Sequence, residues 1–261
     1  MSITVVARSI EPKTITMKLL IDIGNTNTSI ALLKGRRFLK SYFIHTSRKE
    51  ISEGSLRRLL GRHFRDIDKI VVVSVAPEFL AILKKAFKRL ASRIPVIVVG
   101  KDLKVPMKNR YKKPGEVGQD RLVTSFAAAN ICRPPLVAID FGTAVTLDFV
   151  NKKGEYEGGL IFPGLRLALG SLVEDTALLP KVAIKPTKGF IGRDTRGSMN
   201  NGILYGYAAL CDGLIERFRK QYGRSLSVIA TGGDAGLVAR YSRHIKTVYP
   251  NLIFEGLRRI S

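Results

Sequence analysis

The sequence predicts an α/β fold built from two copies of one strand-rich unit. Three observations predict it. Hydrophobic strands alternate with amphipathic helices, a pattern that gives parallel pairing in a sheet with helices on its faces. The segment LLIDIGNTNTSIALL lies over LVAIDFGTAVTLDFV, placing Asp22 over Asp140 and Gly24 over Gly142. That offset of 118 residues is the period of a duplicated domain, too long for a solenoid repeat. The composition, 45% hydrophobic and 25% charged over 261 residues, is ample for buried cores and argues against wholesale disorder.

The first copy opens at Met17 with three short strands, 17–23, 28–33 and 36–44, joined by the turns GNTN and KG. Residues 1–16 read as a short extension, or as an upstream start chosen in error. Leu56, Leu59, Leu60 and Phe64 share one face of a helix at 54–65. A buried strand at 69–75, an amphipathic helix at 76–91 and a strand at 95–100 follow. A basic loop at 101–118 leads into a helix at 119–132. The second copy then restarts the theme with three strands from Leu136 to Gly164. Helices are expected at 164–176, 196–222 and 233–243, with a strand at 225–231. The division is therefore 17–133 and 134–261.

Lys and Arg number 44 against 21 Asp and Glu, a formal charge of +23. The basic residues are dispersed, with no basic arm and no Cys/His finger spacing, so a solvated surface explains them better than a dedicated nucleic-acid interface. No apolar run approaches the roughly 18 residues of a membrane helix. Residues 1–16 lack the apolar core of a signal peptide. Two cysteines, Cys132 and Cys211, make neither a disulfide framework nor a zinc site, which favours a cytoplasmic setting. No GxxxxGK[ST] loop is present, which argues against a P-loop kinase.

A strand ending in Asp, then Gly and small polar residues, then a second strand, suits phosphate. Gly24 and Gly142 admit close backbone approach, and Asn25, Thr26, Thr28 and Thr143 add donors. The strand-end aspartates can hold a cation that neutralises phosphate charge. Read alone, either hairpin is an ordinary structural turn; two in a repeat can clamp a polyphosphate. TGGDAG at 231–236 follows a hydrophobic strand, and its glycines Gly232 and Gly233 would admit a flat adenine or ribose. Alone it is equally a strand-to-helix turn with Asp234 as N-cap.

The order DIGNT, DFGT, TGGDA resembles the acetate kinase, sugar kinase, Hsp70 and actin superfamily. The segment YKKPGEVGQDR at 111–121 resembles the signature of type III pantothenate kinases, and FPG at 162–164, TALLP at 176–180 and the stretch from IGRDT at 191 match further family motifs. Lys113, Met199 and Asn200 depart from the usual family residues. The resemblance implies duplicated actin-like (ribonuclease H-like) domains with mixed sheets flanked by helices. It implies ATP-dependent phosphorylation of pantothenate to 4′-phosphopantothenate, the first step of coenzyme A synthesis, by a homodimer needing Mg²⁺ and K⁺ or ammonium. Some relatives are described as transcriptional accessory factors, so a nonenzymatic regulatory or nucleic-acid-binding protein of the same fold is the alternative.

The resemblance also implies roles. Asp120 is the catalytic base, and Arg121 pairs with the pantothenate carboxylate. Tyr111, Gly118 and Gln119 line the substrate site, and Thr195 reaches it from the neighbouring subunit. Asp22 acts through Mg²⁺, and Ile23, Gly24, Asn25, Thr26, Asn27, Thr28 and Ser29 complete the first ATP loop. Thr143, Gly232 and Gly233 contact ATP, and Asp140 holds the monovalent cation. No specific nucleic acid and no membrane partner is expected. His45, His63 and His244 show no ligand spacing and receive no role.

Overall fold

The computed structural model describes residues 16–261; residues 1–15, nearly all of the expected extension, lie outside the described residues. The first sheet is built from β1 (Met17–Ile23), β2 (Asn27–Lys34), β3 (Arg37–His45), β4 (Ile67–Ser74) and β5 (Val96–Val98), in the order β3-β2-β1-β4-β5. β1 pairs antiparallel with β2 and parallel with β4, so the sheet is mixed. Alternation decides its two faces. Leu19, Ile21 and Ile23 face a cluster that contains Leu56 of α1 (Glu53–Leu60) and Leu83 of α2 (Pro77–Leu90). Leu20, Ala31 and Leu33 face the opposite way. Coverage on both faces explains the unbroken apolar run 19–21 within β1.

The second sheet repeats the plan with β6 (Leu136–Phe141), β7 (Ala144–Val150), β8 (Tyr156–Pro163) and β9 (Ser227–Thr231), in the order β8-β7-β6-β9. A lone parallel bridge from Ala230 to Val248 occupies the place of the fifth strand. The mixed sheets and their shared strand order make this a duplicated actin-like α/β fold.

Between the sheets lie α3 (Gln119–Ile131) and a C-terminal helix. Val123 of α3 packs on the first sheet, and Ala127 and Ala128 pack on the second. The outer face of the second sheet is covered by α4 (Leu165–Glu174), α5 (Thr195–Tyr222) and the single turn α6 (Ala235–Val238). The C-terminal helix, α7 (Leu252–Ile260), sends Phe254 and Leu257 back to the first sheet. Gly256 permits this crossing, because a Cβ there would come 2.5 Å from the Val123 carbonyl.

Three elements differ from the sequence expectation. The helix expected at 54–65 stops at Leu60, where Gly61 takes φ +53°, and continues as a 3₁₀ turn to Asp66. The helix expected at 233–243 is only Ala235–Val238. Asp212 accepts from the Ser242 hydroxyl and from the Arg243 and His244 amides, which holds 242–244 in a turn. The sequence reading had no helix at 252–260; an interior glycine weakens the helical signal there.

Candidate active site

Asp22 stands near the end of β1, and the turn after it is held from below. The Gly24 amide donates to the Asn27 carbonyl at 3.0 Å, and a Cβ on Gly24 would come 3.0 Å from that oxygen. Thr46, just past β3, donates its hydroxyl to the Gly24 carbonyl at 2.9 Å and its amide to the Thr26 carbonyl at 2.8 Å. Thr28 then donates to Thr46 Oγ1 at 2.9 Å and is fully buried. This corrects the expectation for Thr28 as a phosphate donor, because its hydroxyl is spent inside the loop. Ile23 likewise points its side chain into the core, leaving only its backbone at the loop. Asn25 and Asn27 are exposed, and Ser29 pairs with Asp22 across the β1–β2 ladder. Thr46 was missed by the sequence reading; a lone Thr after a strand carries no signal of its own.

The second hairpin stands opposite. Thr143 donates its hydroxyl to Thr26 Oγ1 at 3.0 Å, joining the two turns across the domains. The FPG loop closes on this hairpin: Gly164 donates to the Thr143 carbonyl at 2.8 Å, and a Cβ there would come 2.3 Å from that oxygen. TGGDAG joins them. Gly232 takes φ +93°, and a Cβ on it would lie 2.5 Å from Asp140 Oδ1. Gly233 beside it is exposed. Asp234 does not cap α6 with its side chain; it accepts from Arg166 at 3.1 Å.

Asp120 opens α3, where the helix dipole favours a carboxylate. Its Oδ1 accepts from the Arg121 amide at 2.9 Å, and a Cβ on Gly118 would come 2.3 Å from that same oxygen. Gln119 packs its side chain against Gly100. Burial raises Asp120 above the ordinary carboxylate range, against the pull of the Arg121 amide. Burial first, then repulsion from Asp120 and Asp140, pushes Asp22 up to about 8. Burial, then repulsion from Asp120 and Asp148, pushes Asp140 up to about 7. The structure thus brings Asp22, Asp120 and Asp140 within electrostatic reach of one another. Such an arrangement costs stability unless cations share it. Among the described residues no group of three acidic, His or Cys side chains forms a ready-made metal cage. An ion held by one carboxylate and by phosphate oxygens needs none, so the donor set fits magnesium bound with nucleotide.

The acceptor side lies beyond Asp120. Tyr111 stacks its ring edge over Gly158, where a Cβ would come 3.3 Å from the ring, and tilts against Tyr156 at 6.5 Å between centroids. Arg121 turns its guanidinium onto Asp148, with Nε 2.9 Å and Nη2 2.7 Å from Oδ1. Asp148 and Tyr156, like the Gly158–Gly159 pair, were missed by the sequence reading. The available signal was an acid inside the apolar strand VTLDFV, costly to bury without a cationic partner. Thr195 sits exposed at the first position of α5, after the N-cap Asp194. Among the described residues no hydrogen bond ties it to the aspartates or to Arg121.

Comparison with known proteins identifies the family. A family model described as type III pantothenate kinase matches residues 18–217. A type III pantothenate kinase of a Sulfurihydrogenibium species is 39% identical over 229 residues, covering 85% of this chain and 90% of that protein. One from Desulfovibrio desulfuricans is 40% identical over 255 residues, covering 93% and 95%. Among solved structures, a Baf family transcriptional activator from Campylobacter jejuni superposes with a TM-score of 0.56 at 22% identity, covering 93% of this chain and 96% of that one. The ethanolamine utilization protein EutJ from Carboxydothermus hydrogenoformans superposes with a TM-score of 0.52 at 12% identity, covering 97% and 92%. At those identities the two structures show the shared fold alone.

Proposed function

As a member of the type III pantothenate kinase family, this chain is an enzyme that phosphorylates pantothenate with ATP in coenzyme A synthesis, and we propose the following division of labour for its site. The triphosphate lies between the 24–29 and 142–144 turns, with Thr26 free to donate its hydroxyl and Thr143 orienting it from the opposite turn. Gly232 and Gly233 border the nucleoside. Asp22 would hold Mg²⁺ and Asp140 would hold K⁺ or ammonium, and these cations would supply the positive charge that phosphoryl transfer requires. Asp120 aligns the acceptor hydroxyl. An alcohol is far less acidic than a carboxylic acid, so Asp120 takes the proton late in the transfer. Arg121 and Tyr111 fix the rest of pantothenate, whose carboxylate suits a guanidinium.

The single observation that carries this reading is the convergence of three half-buried, mutually repelling aspartates beside two joined turns. A chain that no longer handled phosphate and cations would gain stability by losing any one of them.

A homodimer completes the proposal. Leu178, Phe190 and Ile191 are 92%, 67% and 71% exposed, just ahead of Thr195. Their loop is pinned: Asn200 bonds both backbone groups of Lys185, Asn201 donates to the Gly189 carbonyl, and Tyr241 bonds both backbone groups of Thr187. A held, apolar surface suits a second copy of the chain, which would carry Thr195 to the partner's acceptor site. Among the described residues no helix is long and apolar enough to cross a membrane. Cys132 and Cys211 are free thiols, in keeping with a cytoplasmic setting.

The test is ADP release from Mg-ATP with pantothenate, glucose or acetate offered singly. Turnover with pantothenate alone supports the assignment; turnover with a sugar or acetate, and not with pantothenate, refutes it.

A further inference from the structure

We propose that Asp148 is the positioning residue of the acceptor site, fixing Arg121 edge-on so that one end of its guanidinium is committed to the protein and the other is offered to the substrate. The proposal rests on the reading of Arg121 as the partner of the pantothenate carboxylate.

Asp148 lies in β7 and is only 2% exposed. Every oxygen it carries is used. Oδ1 receives Arg121 Nε at 2.9 Å, approaches Nη2 at 2.7 Å, and accepts the Tyr156 hydroxyl at 2.8 Å. Oδ2 accepts the Thr146 hydroxyl at 2.9 Å. Two hydroxyls from neighbouring positions therefore lock the carboxylate before it meets the guanidinium. Tyr156 is fully buried, so its own position is fixed by packing.

On the guanidinium, Nε donates to Asp148, while Nη2 lies 2.7 Å from the same oxygen as an ion pair and is buried without a hydrogen-bond partner. Nη1 makes no hydrogen bond within the described residues. The floor under this arrangement is glycine: a Cβ at Gly159 would lie 3.0 Å from both Arg121 Nη2 and Asp148 Oδ1. A guanidinium held by one edge keeps its orientation, which a flexible Arg would lose on each encounter with substrate. The pair also carries no net charge, so the site recognises a carboxylate by placed donors more than by a bare positive field.

Steady-state kinetics of Asp148→Asn, with pantothenate and ATP varied separately, tests this. A second acceptor, pantothenol, carries a hydroxyl where pantothenate has its carboxylate. We expect the pantothenate KM to rise about tenfold or more, since one charge-assisted contact is lost, while the ATP KM stays within about twofold. The pantothenol KM should move far less than the pantothenate KM. Asp148→Glu, which restores the charge on a longer stem, should recover part of the loss. An unchanged pantothenate KM overturns the proposal. So does an equal rise for pantothenate, pantothenol and ATP, which marks general damage. If Asp148→Asn does not fold, Tyr156→Phe removes one lock while leaving the ion pair. It should raise the pantothenate KM several-fold with the ATP KM unchanged, and no such split overturns the proposal. Failure of the wild-type enzyme to phosphorylate pantothenate defeats the underlying reading instead, and is seen before any variant is made.

Discussion

The Thr143 hydroxyl donates to Thr26 Oγ1 at 3.0 Å, so the two phosphate turns of the duplicated fold meet through a pair of short polar side chains. Each turn descends from its own sheet and follows its own aspartate, Asp22 or Asp140. In the proposed site, this contact is where the two halves of the molecule would jointly address the triphosphate. Thr143→Val keeps the shape and removes the donor. The expected outcome is a rise of several-fold in the ATP KM, because Thr26 loses the hydroxyl that orients it, with the pantothenate KM little changed. Initial rates at varied ATP check it, and an unaltered ATP KM would remove Thr143 from the nucleotide site.

Thr46 predicts a different signature. It ties the Gly24 and Thr26 carbonyls and receives Thr28. Thr46→Val leaves buried polar groups unpaired at a cost of about 1–3 kcal/mol. Thermal melts should show a loss of several degrees, and the ATP KM should rise as well. A lower melting temperature with normal ATP kinetics would mean that the turn keeps its shape without Thr46.

The raised aspartates set a pH dependence. Asp22 holds its proton up to about 8 and Asp140 up to about 7, against 3.8 for an ordinary Asp. Between about pH 4 and pH 8 the folded chain binds more protons than the unfolded one, so stability falls as pH rises through that window. Without divalent or monovalent metal ions, melting temperature should decline from pH 5 to pH 8. Asp22→Asn should flatten the decline, raising the melting temperature at pH 8 by a few degrees and hardly at pH 5. A wild-type melting curve that is flat or rising over this range contradicts the reading.

Much of this was legible in the sequence, and the physics says which part. The three-strand repeat with its Asp-Gly turns was visible because period-two alternation and turn chemistry are local. The order β3-β2-β1-β4 recurs as β8-β7-β6-β9, as the 118-residue offset implied. Asp22 and Asp140 were legible through spacing around glycines, and Asp120 only through the resemblance of the segment at 111–121 to a family signature. Asp148, Tyr156 and Thr46 were not, because each acts by a contact made only in the folded chain: Asp148 meets Arg121 27 positions away, and Thr46 meets Gly24 22 positions away. The helix α7 was hidden for a similar reason, since Gly256 makes sense only against Val123.

The exposed loop ahead of Thr195 predicts a concentration-dependent enzyme. Ile191→Asp places a charge on the apolar surface without touching the chain's own core, since Ile191 is 71% exposed. Light scattering should change from a dimer to a monomer, with a normal melt and with activity lost together with the dimer. A monomeric wild type, or a fully active monomeric variant, would contradict the shared site.

The central claim is that Asp120 serves the acceptor hydroxyl in a pantothenate kinase. It is tested most directly by following ATP-dependent formation of 4′-phosphopantothenate by mass spectrometry, for the wild type and Asp120→Asn, in K⁺ and in Na⁺. The account predicts product from the wild type in K⁺, much less in Na⁺, and a fall in kcat of about 10²–10⁴ in the variant, the usual worth of a general base. A variant as fast as the wild type would contradict the role of Asp120, and a folded wild type that makes no product in either salt would contradict the account as a whole.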